Sequence, residues 1–556
     1  MTGAMSIHGR HNGDVMTVAG LMQDFPLNVS QILRFAATAH GDREIVSKDC
    51  EGRLFRYDYS RALARAASGA RWLSSLGLVP GERMSSLAWN NHRHFEQFFA
   101  VPGMGYVLHT ANPRLPDEHI AYTINHAESR VLLYDPNLRE IVERLKPALR
   151  TIEHFVMLSE EDYDQRIGLF PGEVDWPVLD ENSGAFLCYT SGTTGDPKGV
   201  LYSHRSVILH ALVAGLSGAL DLSAFDVILP CQSLYHATAW GLPFAGAING
   251  AKFVLPCDKL DGASVQQLIE SEGVTFSGGV PTIWTMYLDY LARTGRDTGT
   301  LERVVIGGSA VPRAMAETFE AKYGVKVRQI WGMTEISPLG VLATPTPKVA
   351  ALGQDEMQDV IWTRQGRLQF GVELKIIDDD GCELPHDGVA AGTVLVRGPW
   401  VIERYYRQQE TALDAEGWFD TGDIATIDAN GFMRITDRKK DVIKSGGEWI
   451  SSIDIENVAA ACPGVKIAAV VGVYHPKWEE RPILVIERMP DSSLTEANVR
   501  AWLEPELVKW WQPDRIIFDD VPLTATGKID KKSVRARYDV PAGSRAAPAD
   551  DPAFGS

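Results

Sequence analysis

Eleven residues from Tyr189 to Gly199, YTSGTTGDPKG, hold three glycines, three threonines, a serine and one lysine. Glycines interleaved with hydroxyl side chains let backbone N–H and side-chain O–H groups converge on one concave surface. Such a surface suits phosphate oxygens, and Lys198 adds a mobile cation. Thr190, Ser191, Gly192, Thr193, Thr194 and Gly195 form the candidate cradle. The spacing excludes the loop of P-loop hydrolases, which needs Gly directly before the lysine and Ser or Thr directly after it. Here Asp196 and Pro197 separate Gly195 from Lys198, and Gly199 follows.

Four more stretches carry residues capable of chemistry: WGMTE at Trp331 to Glu335, GWFDTGD at Gly417 to Asp423, DRKKDVIKSGGEWIS at Asp437 to Ser451, and PLTATGK at Pro522 to Lys528. Each is weak alone. TGD is a common turn, a carboxylate near a strand end or a lysine in a loop is usually solvated, and DRKKD reads as a surface charge run.

The elements that must position them follow from the rest of the chain. A length of 556 residues implies more than one domain, and 45% hydrophobic content fills ordinary cores. A formal charge of -18 without a basic run argues against a nucleic-acid groove. No apolar run reaches the ~18 to 20 residues of a membrane span, and the N-terminus lacks the apolar core of a signal peptide. The six cysteines lack CxxC or zinc-like spacing and read as reduced thiols of a cytoplasmic protein.

Up to about residue 440, β-branched runs alternate with helical patterns, the rhythm of an α/β layered domain. GAFLCYT is a strand running into the opening loop. RVVIGGSAVP is a strand and glycine turn, after which Pro312 opens a helix carrying Met315, Phe319 and Tyr323 on one face. From about Gly366 strands and tight turns take over, with Asn430-Gly431 as a hairpin signal. About 100 residues after Asp437 have their own strands and a helix capped by Thr495. Val499, Trp502, Leu503, Leu507 and Trp510 share a face of it, and Pro505 interrupts it. The tail 541–556 is Pro-, Ala- and Asp-rich and reads as disordered.

The motifs, in this order, resemble those of the adenylate-forming enzymes: acyl-CoA synthetases, adenylation domains of peptide synthetases, and firefly luciferase. The likeness runs from DREIVS at Asp42 to Lys528. It is strongest to the fatty-acid and related carboxylate CoA ligases, through VLHTANPRL at Val107 to Leu115 and HPKWEERP at His475 to Pro482.

The resemblance implies a large N-terminal domain (1–438) of two α/β subdomains and a β-barrel (about 366–438), followed by a small mobile α+β domain (439–540). It implies that a carboxylate attacks the α-phosphate of ATP, releases pyrophosphate and forms an acyl-adenylate, from which the thiol of CoA displaces AMP. Thr190 to Gly195 and Lys198 would hold the β- and γ-phosphates, and Thr190 and Glu335 a Mg²⁺ ion. Gly308, Ser309, Ala310, Trp331, Gly332, Met333 and Thr334 would frame the nucleotide, with Trp331 where many relatives have Tyr, and Trp449 would join them. Asp423 would accept from the ribose hydroxyls, supported by Arg438.

By the same resemblance Lys528 would bridge carboxylate and α-phosphate during adenylation. After rotation about Lys440, Lys444, Gly446 and Gly447 would line the pantetheine tunnel of CoA. His236 would sit by the reacting carboxylate, Trp240 would gate the acyl tunnel, and Gly279 and Val280 would form its opposite wall. Ala237-Thr238 stands where Val-Asn is frequent, which leaves the acid open among medium or long aliphatic, branched, arylalkyl and alicyclic chains. A homodimer is expected from similar ligases. Two other readings stay open: an enzyme that loads a carrier protein, and a nucleotide-binding relative without catalysis, which would be expected to have lost Lys528 and Lys444.

Overall fold

The strand Gly184–Tyr189 has Ala185, Phe186, Leu187 and Cys188 all buried, as a strand covered on both faces requires. It pairs in parallel with Val107–Thr110 and antiparallel with Gly199–Ser203, and Tyr189 lies opposite Gly199. The phosphate loop is therefore the connection between two hydrogen-bonded neighbours, its two ends fixed by the ladder. The structure, a computed structural model, describes residues 20–190, 196–446, 448–490, 492–524 and 527–539. Ser191 to Gly195, Gly447 and the tail 541–556 lie outside the described residues, as does the side chain of Trp449.

Among the described residues there are three sheets. The first has six strands and includes Gly184–Tyr189. The second has thirteen, with Phe276–Gly279, Arg303–Gly307 and Lys326–Gly332 side by side in parallel. Between the two lies the helix His92–Gly103, every residue of which is buried, as a helix covered all round must be. Its Phe98 meets Phe186 of the first sheet at a ring distance of 5.3 Å and its Phe95 meets Phe253 of the second at 5.4 Å. These aromatic contacts lock the two α/β layers together.

From Gly366 to Arg438 the strands are antiparallel, and their ladder runs on into the second sheet through Gly366–Leu368 and Leu339–Leu342. The Asn430-Gly431 signal marks a real reversal between Phe419–Ile427 and Phe432–Arg438, closed by Asp428, whose carboxylate accepts from the N–H groups of Asn430 and Phe432. This hairpin sets Asp423 opposite Arg438.

The third sheet has five strands and belongs to the C-terminal segment, with the helices Ser452–Ala460, Glu496–Leu503 and Lys531–Tyr538. Thr495 caps Glu496–Leu503 through a reciprocal bond with Asn498, and the helix stops before Pro505. Val499, Leu503 and Leu507 are buried as expected, but Trp502 is 38% exposed and turns its indole N–H to the Val458 carbonyl. Pro312 likewise precedes its helix, Arg313–Glu317, as the capping residue instead of opening it.

This segment is docked on the strand that ends at the expected hinge. Ser451 Oγ donates to the Thr436 carbonyl at 2.5 Å, and the Ser452 N–H donates to Asp437 at 2.7 Å. No helix among the described residues is long and apolar enough to cross a membrane.

Candidate active site

The base of the phosphate loop is tied on itself. The Thr190 N–H donates to the Lys198 carbonyl at 2.9 Å and the Lys198 N–H to Thr190 Oγ1 at 3.2 Å. Lys198 extends its ammonium over the ring of Tyr405, 4.7 Å from the centroid. The same Tyr405 donates its hydroxyl to Glu335 at 2.9 Å. Tyr405 therefore joins the loop lysine to the candidate metal carboxylate. It lies in ERYYRQ, a stretch without motif, and no sequence signal marked it.

Glu335 sits in the short turn Thr334–Ile336, just after the strand Lys326–Gly332, and is buried. Burial pushes its carboxyl pKa up, against the opposing pull of Tyr405, Arg438 and Lys528. Among the described residues Tyr405 is the side chain that donates to this carboxylate, and a hard oxygen ligand beside a polyphosphate loop is what Mg²⁺ takes. Gly332, before the turn, could be no other residue, because a Cβ there would lie 1.5 Å from the Pro338 carbonyl oxygen.

Asp423 is buried and held from two sides. Trp331 Nε1 donates to its Oδ2 at 2.8 Å, and Arg438 Nε meets its Oδ1 at 3.0 Å. Trp331 is thus more than the flat wall the sequence indicates, since its indole N–H orients the carboxylate expected to hold the ribose. Gly308, at φ +88, lies beyond the end of Arg303–Gly307, where ordinary side chains are strained, and Ser309 is exposed beside it with Ala310 half-buried.

Lys528 enters this space from the C-terminal segment. A Cβ on Gly308 would lie 3.8 Å from Lys528 Cε and 3.1 Å from Val280, and one on Gly527 would lie 3.9 Å from Val280. The Lys528 loop is pinned by its own Thr524, which donates its N–H to the Lys528 carbonyl at 2.7 Å. Burial, then Arg438, lowers the lysine pKa to about 8, while Asp423 and Glu335 oppose the shift. His236 is held neutral, its pKa lowered to about 4 by burial and by Lys528.

The segment after His236 is left-handed: Ala237, Thr238, Ala239 and Trp240 have φ of 39°, 40°, 55° and 55°. Such backbone costs roughly 1 to 2 kcal/mol per non-glycine residue. It is held by Gln232, which donates to the Ala239 carbonyl at 3.1 Å, and at Gly241, just after it, the His210 ring leaves no room for a Cβ. Trp240 is buried in the main core and Gly279 in the strand Phe276–Gly279.

His236 borders a narrow crevice lined by His109, Thr110, Asn112, Tyr189, Thr190 and Tyr235 among others.

Lys444 and Gly446 lie elsewhere. Lys444 is exposed, and a Cβ on Gly446 would lie 2.9 Å from Trp478 and 3.5 Å from Trp510 of its own segment. Lys440, at the hinge position, is exposed, and partial desolvation of its ammonium lowers its pKa. The structure thus brings Lys528, Glu335, Asp423, Arg438 and His236 together, while Lys444 and Gly446 make their described contacts within their own segment.

The chain matches the family described as AMP-binding enzyme over residues 33–406, and the AMP-binding enzyme C-terminal domain over 454–528. It belongs to the AMP-binding enzymes. Among its relatives is a 3-methylmercaptopropionyl-CoA ligase of Ruegeria lacuscaerulensis, 44% identical over 93% of this chain and 98% of that one. Another is a medium-chain-fatty-acid–CoA ligase of Ectopseudomonas oleovorans, 43% identical over 93% and 97%. The fold is shared with an anthranilate CoA ligase, AuaEII, solved with anthranoyl-AMP, at a TM-score of 0.82 and 24% identity, covering 92% of this chain and 98% of that one. The AMP-binding fold, with its large N-terminal and smaller C-terminal parts, is therefore that of an acyl-CoA synthetase.

Proposed function

We propose that this enzyme activates an aliphatic carboxylic acid as its acyl-adenylate with ATP and Mg²⁺, then passes the acyl group to CoA. The convergence of Lys528 with Asp423, Arg438, Glu335 and His236 supports this reading above all, because it surrounds one point with groups suited to an acyl phosphate. Attack of the carboxylate on the α-phosphate gathers negative charge on oxygen, and a fixed cation there stabilises the transition state by electrostatics already in place. Lys528 supplies it. Asp423, aimed by Trp331 and Arg438, holds the ribose and so fixes the α-phosphate in line with the acid.

Thr190 and Glu335 would hold Mg²⁺, which neutralises the departing pyrophosphate when bound. Neutral His236 can hydrogen-bond the carboxylate without protonating it. The thiol of CoA then attacks the acyl carbon and displaces AMP. For that step Lys444, Gly446 and Gly447 must replace Lys528, which requires the C-terminal segment to turn about Lys440 and leave Thr436 and Asp437.

Relatives at 43 to 44% identity are named as 3-methylmercaptopropionyl-, medium-chain-fatty-acid and long-chain-fatty-acid CoA ligases, which favours a medium or long aliphatic acid here. The reading carries a cytoplasmic location, where ATP and CoA are available, and a homodimeric state on resemblance alone. A panel of carboxylic acids with ATP, Mg²⁺ and CoA, read by pyrophosphate release and separately by thioester mass, tests it. Thioester formation is expected to peak with medium or long aliphatic acids. Pyrophosphate without thioester would favour carrier loading instead.

A further inference from the structure

Cys50 and Cys257 are 207 residues apart in sequence, yet their Sγ atoms lie 3.3 Å from each other. Cys50 is half-buried, on the turn between the strands Glu44–Lys48 and Leu54–Asp58, and Cys257 is buried, just past the strand Lys252–Leu255. One thiol can be reached from solvent and the other waits behind it. No other pair among the described cysteines is placed so.

Cys257 is also wired to the candidate acid pocket. Its N–H donates to the Asn90 carbonyl at 2.8 Å. Buried Asn90 in turn holds three points of the chain leading to His236. Its Nδ2 donates to the carbonyls of Pro230 and Gln232 at 2.8 and 2.9 Å, and its Oδ1 accepts from the Leu234 N–H at 2.8 Å. Gln232 is the residue that holds the left-handed turn at Ala239.

We propose that Cys50 and Cys257 are a redox-sensitive modification site, oxidised to a disulfide by low-molecular-weight disulfides such as glutathione disulfide, and that the bond weakens acid binding at the His236 segment. The Cys50 thiolate attacks one sulfur of glutathione disulfide, forming a mixed disulfide and releasing one glutathione thiolate. Cys257 then gives up its proton and attacks the Cys50 sulfur, displacing the second glutathione, which takes that proton. Two thiols are oxidised and one disulfide is reduced to two glutathiones.

The S–S bond is about 2.05 Å long, so closure draws the two sulfurs together by roughly 1 Å. Asn90 transmits that shift to Pro230, Gln232 and Leu234, and displacements of this size near a reacting centre alter binding and rate. ATP is held by other elements, so its KM should stay unchanged.

The chemical part stands without any assignment of function, whereas the effect on acid binding rests on the reading of His236 given above. The full chain is incubated in glutathione buffers of rising oxidised fraction, quenched in acid, alkylated and mapped by mass. A Cys50–Cys257 linked peptide is expected. With it, the acid KM should rise about threefold at constant ATP KM, and both should be reversed by dithiothreitol. Cys50→Ser should show neither change, and Cys257→Ser should stop at glutathionylated Cys50. Absence of the linked peptide would overturn the site, and a linked peptide with an unchanged acid KM would overturn the coupling; in either case acyl-CoA formation by the reduced enzyme leaves the proposed function standing.

Discussion

Trp331 donates its indole N–H to Asp423 at 2.8 Å, so an aromatic expected at the adenine and a carboxylate expected at the ribose are positioned as one unit. Trp331→Phe keeps the flat ring and removes the donor. Loss of one bond to a buried charged acceptor, about 1.5 to 3 kcal/mol, should raise the ATP KM at least roughly tenfold. The acid KM should not move. Steady-state kinetics with each substrate varied in turn checks this, and an unchanged ATP KM would mean that Arg438 alone suffices.

Glu335→Gln keeps shape and removes charge. If Glu335 ligates Mg²⁺, the variant should need at least about tenfold more metal for half-maximal pyrophosphate release, since one of the few charged oxygen ligands is gone. Tyr405 can still donate to the amide oxygen, so the local packing should survive. A Mg²⁺ titration at saturating ATP reads the difference, and an unaltered curve assigns the carboxylate a structural role.

The titration of Lys528 predicts a pH limit. Its pKa, lowered to about 8 by burial and Arg438, lies between neutrality and the ordinary lysine value. Adenylation needs the charged form, so kcat/KM for ATP should hold below about pH 8 and fall tenfold per unit above it. Lys528→Arg, always charged, should keep whatever activity it has without that fall. A wild-type profile flat to about pH 9.5 would contradict the low pKa.

Trp240 lies in the left-handed segment after His236 and is buried in the core. If it gates the acyl tunnel, Trp240→Ala should shift the preferred chain length or bulk, each methylene being worth about 1 to 3 kcal/mol of discrimination. The ATP KM should change far less. Comparing kcat/KM across the acid panel for the two proteins measures it, and an identical ranking would place Trp240 outside the tunnel.

Much of this site was legible in the sequence because motif residues sit where backbone pairing alone fixes them. Asp423 and Arg438 face each other across a hairpin announced by Asn430-Gly431, and the phosphate loop joins two paired strands. What could not be read depends on distant side chains. Tyr405 bridges Lys198 and Glu335 across more than 60 residues without any motif. The left-handed run from Ala237 to Trp240 is held by Gln232, at the Ala239 carbonyl, against the preference of every residue in it. The outward turn of Trp502 is of the same kind: helical spacing put it on the apolar face, and the Val458 carbonyl took its N–H.

On the proposed function, the C-terminal segment presents Lys528 for the first half-reaction and Lys444 for the second. Lys528→Ala and Lys444→Ala should each be assayed for acyl-adenylate formation from ATP and acid, and for thioester formation from supplied acyl-adenylate and CoA. Lys528→Ala should lose about 10² to 10³ in adenylation, the loss typical of a removed transition-state donor, and retain most of the thioester step. Lys444→Ala should show the opposite bias. Equal loss of both half-reactions in folded Lys528→Ala would contradict this division of roles.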